Sequence, residues 1–263
     1  MEAGAGTAIE IDRVAKAYGT AVALGGVSLS IPAGQFVALV GASGSGKTTL
    51  LKTLNSLIEP DSGVVKVDGQ PVTDADVATL RRRIGYVFQG IGLFPHMTVG
   101  ENIAVVPSLL GWAKADIAAR VRELLTLVDL PTDYAARRPS ELSGGQQQRV
   151  GVARALAVKP RLMLMDEPFG ALDPLTRDAL GTAYRKLHDD LGLTTVMVTH
   201  DVQEALLLAD RIVVMKGGKI IADDTPRALM AGHDDPEVEA LIATPRRQAE
   251  RVRALMNGEG QGA

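Results

Sequence analysis

FVALVGASGSGKTT, residues 36–49, decides the fold class of this chain. FVALVG (36–41) is a continuous apolar run without alternation, the pattern of a strand buried on both faces of a parallel sheet. It stops in a glycine-rich loop, and helical spacing follows from Lys47 to Ile58. Gly41, Gly46, Lys47 and Thr48 fit G-x-x-x-x-G-K-[ST] in the strand–loop–helix setting which that motif requires. Glycines let backbone N–H groups come close to phosphates. Lys47 is placed to reach the β- and γ-phosphates, and Thr48 to offer a hydroxyl to Mg²⁺. The alternative is a glycine-rich loop with a stray lysine. The setting favours nucleotide binding, with Gly41, Ala42, Ser43, Gly44, Ser45, Gly46, Lys47, Thr48 and Thr49 as the candidate residues.

Outward from this loop the chain alternates between strands and helices. IEIDRV (9–14) and VALGGVSLSI (22–31) are β-rich and precede the loop. Strands are expected at 64–67 and 84–88 behind the Pro60–Gly63 turn. From about 98 to 158 strand signals vanish, and KADIAARVRELLTLVDL (114–130) and QQQRVGVARALAV (146–158) favour helix. Strands return with LMLMD (162–166), TTVMVT (194–199) and RIVVMK (211–216). Such alternation predicts a parallel sheet with crossover helices, interrupted by a helical insertion. Residues from about 233 onward are polar and Arg/Glu-rich, which suggests a helical appendage.

Whole-chain composition narrows the function classes. The chain has 263 residues, 46% of them hydrophobic and 22% charged, with a net charge of −3 and no cysteine. That charge leaves no nucleic-acid footprint. Without cysteine there is no disulfide or thiolate chemistry. No apolar run is long enough to span a bilayer, and the start MEAGAGTAIEID lacks a signal-peptide pattern. A cytoplasmic protein is expected, with any membrane role reached through a partner.

Two further stretches carry chemistry. LMLMDE (162–167) is an apolar strand that ends in two carboxylates, and strands of such sheets deliver their C-terminal residues to the ligand crevice. Asp166 is placed to hold Mg²⁺ and Glu167 to polarise the attacking water. Taken alone, such a pair is more often a helix cap or a solvated turn; the phosphate loop in the same chain reverses that preference in favour of the catalytic role. LSGGQQQR (142–149) opens a helix with a serine and two glycines, which makes a second anion site or simply a helix start capped by Ser143.

LSGGQ (142–146) shortly before LMLMDEP resembles the signature of ATP-binding-cassette (ABC) ATPases, and further positions match in order over roughly residues 8–232. The resemblance implies an α/β fold: a P-loop NTPase RecA-like core with an N-terminal antiparallel β-subdomain and an α-helical subdomain inserted at about 90–158, followed by the appendage at 233–263. It implies ATP and Mg²⁺ as cofactors. Tyr18 would stack on adenine. Gln89 would approach Mg²⁺ and couple to a membrane subunit, and Asp173 in GALD would lie in a loop crossing a dimer interface. His200 would be the switch at the γ-phosphate, so Glu167, His200 and Gln89 are the catalytic candidates. Thr48, Gln89 and Asp166 are the metal candidates. In the family two copies, or a copy and a homologous ATPase subunit, pack head to tail. Ser143, Gly144, Gly145 and Gln146 of one then complete the other's phosphate site.

Residues 81–113 contain the family's coupling region for transmembrane permease subunits. Phe94-Pro95-His96, Thr98-Val99 and Glu101-Asn102 resemble importer subunits for small solutes. LNSLIEPDSG (54–63), IGLFPHMTV and IAVVPSLLGW resemble the osmoprotectant group, which imports glycine betaine, choline and related quaternary amines, with a substrate-binding protein as a further, indirect partner. The implied place is peripheral, on the cytoplasmic face of the cell membrane. The ATPase of another membrane ABC system, whether another small-solute importer, a lipid-trafficking system or an exporter, would share every catalytic motif and remains the alternative. Soluble ABC proteins of translation or DNA repair fit poorly, because this sequence holds one cassette, no cysteine and a slightly negative charge.

Overall fold

In the computed structural model, which describes residues 6–256 apart from 75, 91 and 171, FVALV is β3 (Phe36–Val40) and every one of its residues is buried. It lies inside a sheet whose other strands are β6 (Ile84–Val87), β7 (Leu162–Asp166), β8 (Thr194–Val198), β9 (Arg211–Lys216) and β10 (Lys219–Asp224). The order is β10-β9-β3-β8-β7-β6. β9, β3, β8, β7 and β6 run parallel, and β10 closes one edge antiparallel to β9. Parallel neighbours need crossovers, and these are helical. The helices that follow β3, β7 and β8 are α1 (Lys47–Thr53), α6 (Pro174–Leu191) and α7 (Val202–Leu208).

A smaller antiparallel sheet of order β2-β1-β4-β5 covers one face, built from β1 (Ile9–Tyr18), β2 (Ala21–Ile31), β4 (Ser62–Val67) and β5 (Gln70–Pro71). Between β6 and β7 the chain leaves the sheet for α3 (Val99–Leu109), α4 (Lys114–Leu127) and α5 (Gly144–Leu156). α2 (Val77–Arg83) precedes β6, while α8 (Pro226–Ala231) and α9 (Pro236–Met256) follow β10. Residues 257–263 of the expected appendage lie outside the described residues. Among the described residues, no helix is long and apolar enough to cross a membrane.

The strand period of two splits the core into two layers. Val37 and Leu39 of β3 join Leu162, Leu164, Val196 and Val198 on the face that meets α1 and the small sheet. Phe36, Ala38 and Val40 join Met163, Met165 and Met197 on the opposite face, beneath α3–α7 and α9. Both faces of the parallel sheet are thus covered, which is why its strands read as unbroken apolar runs.

The structure corrects some of the sequence-level boundaries. The helix expected to reach Ile58 ends at Thr53. Ser56 takes a left-handed φ of 55°, and the Ile58 N–H returns to the Lys52 carbonyl at 3.1 Å, closing the helix end. β5, α2 and β10 are too short or too polar to carry a periodic signal.

Candidate active site

Parallel order places four C-terminal strand ends side by side. Leu39 and Asp166 both pair with Val198, and Val87 pairs with Met165. The loop after β3, the carboxylates ending β7, the turn after β8 and Gln89 after β6 therefore share one edge, although the chain separates them widely. That is where an open α/β sheet binds ligands.

The 41–49 loop is fixed by close packing. Gly41 has φ 143°, and a Cβ there would lie 2.2 Å from the Met215 carbonyl oxygen. Gly46 has φ 102°, and its Cβ would lie 2.3 Å from the carbonyl oxygen of Ala23 on β2. Only glycine meets both demands. Lys47 Nζ donates to the carbonyls of Gly41 and Ala42 at 2.8 Å each and to Ser45 Oγ at 3.2 Å. Burial lowers the ammonium pKa, while Glu167 and Asp166 act to raise it. Gly46 takes the N-cap place of α1 without a side-chain cap, so the first N–H groups of that helix stay available to an anion.

Thr48 Oγ1 donates to Asp166 Oδ1 at 2.9 Å. Asp166 is buried, and burial raises its pKa against the Thr48 hydrogen bond and the nearby Lys52 charge. Among the described residues no group of three or more His, Cys, Asp or Glu side chains forms a ready metal site. One carboxylate beside one hydroxyl is nonetheless the donor set Mg²⁺ uses when phosphates complete its shell.

Glu167 departs from ideal backbone geometry. Its φ is 50°, a left-handed conformation that costs a non-glycine residue on the order of 1–3 kcal/mol. The Glu167 N–H is held by the Val198 carbonyl at 2.9 Å. Glu167 Oε2 and His200 Nδ1 lie 3.5 Å apart. His200 follows Thr199, whose N–H donates to the Leu39 carbonyl at 3.2 Å and ties this turn to β3.

Ser143 caps α5. Its Oγ accepts from the Gln146 N–H at 3.3 Å, and Gln146 Oε1 accepts from the Ser143 N–H at 3.0 Å. The cap expected as the simple alternative is therefore present, and it leaves the hydroxyl proton free to donate elsewhere. A Cβ on Gly144 would meet nothing within 4 Å, whereas one on Gly145 would lie 3.3 Å from Leu172. Gln148 Nε2 donates to the Pro168 carbonyl at 2.5 Å, which ties α5 to the loop after β7. Asp173 caps α6, accepting from the Thr176 N–H at 3.0 Å. α5 packs on α3, α4 and β6, while α1 packs on β2, β7 and β8. The two candidate anion-binding helix starts thus rest on different neighbours.

Tyr18 ends β1, 51% exposed, and pairs with Ala21, two residues along the hairpin from the Ala23 that touches Gly46. Gln89 is exposed just past β6. Beside it a cleft of about 340 Å³ is lined by Tyr86, Phe88, Phe94, Val105, Arg81 and Arg154 among others. Among the described residues the buried Tyr86 hydroxyl finds no hydrogen-bond partner. Asn102 pins the loop above it, accepting from the Phe94 N–H at 2.8 Å and donating to the Phe94 and Thr98 carbonyls at 3.1 and 2.9 Å.

Arg177, Asp201 and Glu204 belong to no motif in the sequence, yet they stand next to His200. Arg177 Nη1 donates to Asp201 Oδ2 at 2.7 Å, and Glu204 is buried in the first turn of α7. The available signal was a carboxylate at an apolar helix position, beside Ala205 and Leu208 and four residues after His200.

A protein-family model described as ABC transporter matches residues 24–170. The chain is 49% identical over 256 residues to the choline transport ATP-binding protein OpuBA of Bacillus subtilis (strain 168), covering 95% of this chain and 67% of that protein. It is 50% identical over 233 residues to the sulfate/thiosulfate import ATP-binding protein CysA of Caulobacter vibrioides, covering 87% of this chain and 67% of that one. The chain thus spans about two thirds of the length of these relatives. Among solved structures, the ATP-binding cassette MJ0796, a dimer in a post-hydrolysis state bound to ADP and Pi, superposes with a TM-score of 0.77 at 35% identity. That match covers 83% of this chain and 99% of the other.

Proposed function

Because the chain belongs to the ABC transporter family, we propose that it is the ATP-hydrolysing subunit of an importer, taking up a quaternary-amine osmoprotectant such as glycine betaine or choline. The observation that carries the hydrolytic part is the shared strand edge: Thr48 on Asp166 at 2.9 Å and Glu167 facing His200 at 3.5 Å, beside the Lys47 loop. The cassette spans residues 8–232, with the helical subdomain at about 90–158 and the appendage from 233 onward.

ATP binds with its phosphates in the 41–49 loop. Backbone N–H groups and Lys47 take the β- and γ-phosphates, and Lys47 exchanges its loop carbonyls for phosphate oxygens. Mg²⁺ would be held by Thr48 and Asp166 with Gln89 approaching from β6, and it supplies neutralising charge between the phosphates. Tyr18, at the exposed end of its hairpin, stacks on the adenine. Glu167 orients the attacking water and takes its proton, and His200 steadies the γ-phosphate from the neighbouring strand end. A second copy, or a homologous ATPase subunit, supplies Ser143, Gly144, Gly145 and Gln146 across the interface, with Asp173 in the loop between them. The exposed Gly144 and the free Ser143 proton support this assignment.

The cleft beside Gln89 receives a permease loop, which places the protein peripherally on the cytoplasmic face of the cell membrane. A substrate-binding protein acts through that permease. The osmoprotectant cargo rests on the similarity to OpuBA. The comparable identity to CysA favours a second reading, an importer of another small solute. Replacing Glu167 tests the hydrolytic core. Glu167→Gln should keep ATP binding and slow hydrolysis roughly 10²–10⁴-fold. Near-normal turnover would move the base elsewhere.

A further inference from the structure

His200 sits on the turn between β8 and α7, and that turn is backed by polar side chains. A void of about 10 Å³, room for about one water, is lined by Glu167, Thr199, His200, Arg177, Asp201 and Glu204 among others. The last three also line an open groove of about 620 Å³ between α6 and α7, so they form the wall between groove and void. Within the wall, Arg177 Nη1 donates to Asp201 Oδ2 at 2.7 Å. The other Asp201 oxygen caps α7, accepting from the N–H groups of Gln203 and Glu204 at 3.0 and 3.2 Å. Thr199 Oγ1 accepts from the Asp201 N–H at 3.0 Å. Glu204, 8% exposed, completes the wall.

We propose that Glu204 is a positioning residue for hydrolysis: seated beneath the Thr199–Asp201 turn, its carboxyl group holds that turn in the form that aims His200 at Glu167. The inference rests on the roles given above to Glu167 and His200. Glu204 touches neither nucleotide nor water. It acts through the turn.

The surroundings explain why a carboxyl group is used and in which state. Burial pushes Glu204 up to about 7, while the nearby Thr199 hydroxyl acts to lower it. The groups facing it are Asp201 and His200 on the turn, Arg177 from α6 and Glu167 across the void. Asp178 and Arg185 lie further along the groove on α6. An uncharged Glu204 leaves the Arg177–Asp201 pair matched one to one. An ionised Glu204 competes with Asp201 for the single guanidinium, which loosens the cap of α7 and the turn before it. Hydrolysis should therefore fall as pH rises through about 7.

The test compares wild type, Glu204→Gln and Glu204→Met in the full-length protein between pH 6 and 9, reading kcat, ATP affinity and melting temperature. Methionine fills the volume without hydrogen bonds, so folding survives while positioning is lost. The Met variant should lose kcat about tenfold or more with ATP affinity within about threefold of wild type. The Gln variant, with the shape of the neutral acid, should keep kcat near pH 6.5 and lack the decline above 7. A Met variant that hydrolyses at the wild-type rate overturns the proposal, as does a Gln variant with an unchanged pH profile. Glu167→Gln and His200→Ala run alongside. If both hydrolyse normally, the site assignment fails and the positioning role falls with it. If both are impaired while the Met variant is not, only the role of Glu204 fails.

Discussion

Lys47 lies in the phosphate loop with its ammonium group resting on two loop carbonyls and a hydroxyl. Those contacts keep a buried cation satisfied, and in the proposed site phosphate oxygens would replace them. Lys47→Ala should weaken ATP binding on the order of 10–100-fold, the worth of a strong charge-assisted contact, while leaving the melting temperature near wild type. Titration with a fluorescent ATP analogue measures it, and an unchanged affinity would remove Lys47 from the site. Gly46→Ala is a different lesion, because its Cβ would press on the Ala23 carbonyl at 2.3 Å with φ at 102°. It should lower stability by about 1–3 kcal/mol as well as binding, readable in urea unfolding. The loop residues were legible because their spacing is itself the geometry that phosphate requires. Glu204 was not, because a glutamate in a helix usually faces solvent, and it is long-range packing against α6 and the strand-end turns that buries it.

At the level of elements, the strand ends are what assemble the site. β3, β7 and β8 stand out in the sequence as apolar runs because both faces of the sheet are covered. Their adjacency does not stand out, since pairing order is a long-range choice that no local pattern encodes. The early end of α1 and the antiparallel β10 escaped for the reverse reason, being settled by single turns. α7 carries a testable linkage. Glu204 has a folded pKa of about 7 against an ordinary value of 4.5. The stability tied to its proton is therefore fully present below about 4.5 and lost as pH rises through about 7, a swing of roughly 3 kcal/mol. Urea unfolding at pH 5 and pH 8 should show wild type losing about 2.5 kcal/mol more than Glu204→Gln, because a first part of the swing is already spent at pH 5. Equal losses would mean the carboxyl group is not buried as described. The Phe94–Thr98 loop offers a second test. Asn102 holds it rigid while His96 remains exposed. A cysteine placed at His96 should cross-link to a permease loop in transporting membranes. Gly100 is a poorer site, since a Cβ there would lie 3.1 Å from the Ala135 carbonyl oxygen. No capture from His96 under active transport would refute the docking cleft.

For the whole molecule, the central question is why one chain carries two helix starts suited to an anion. α1 and α5 rest on different neighbours, and Gly144 at the start of α5 faces open space. We propose that the second start serves the nucleotide of another copy. Two variants separate this from service within one chain. Lys47→Ala disables the phosphate loop, and Gly144→Arg blocks the signature while leaving the Ser143–Gln146 cap in place. Each variant alone forms only sites that hold one lesion. When they are mixed under differently tagged chains, one site of the heterodimer joins the intact loop of one chain to the intact signature of the other. ATP-dependent association between the two tags, measured by pull-down with Mg²⁺ and ATP, should then appear in the mixture and in neither variant alone. If mixing restores no association, LSGGQ serves its own chain and the shared-site account is contradicted.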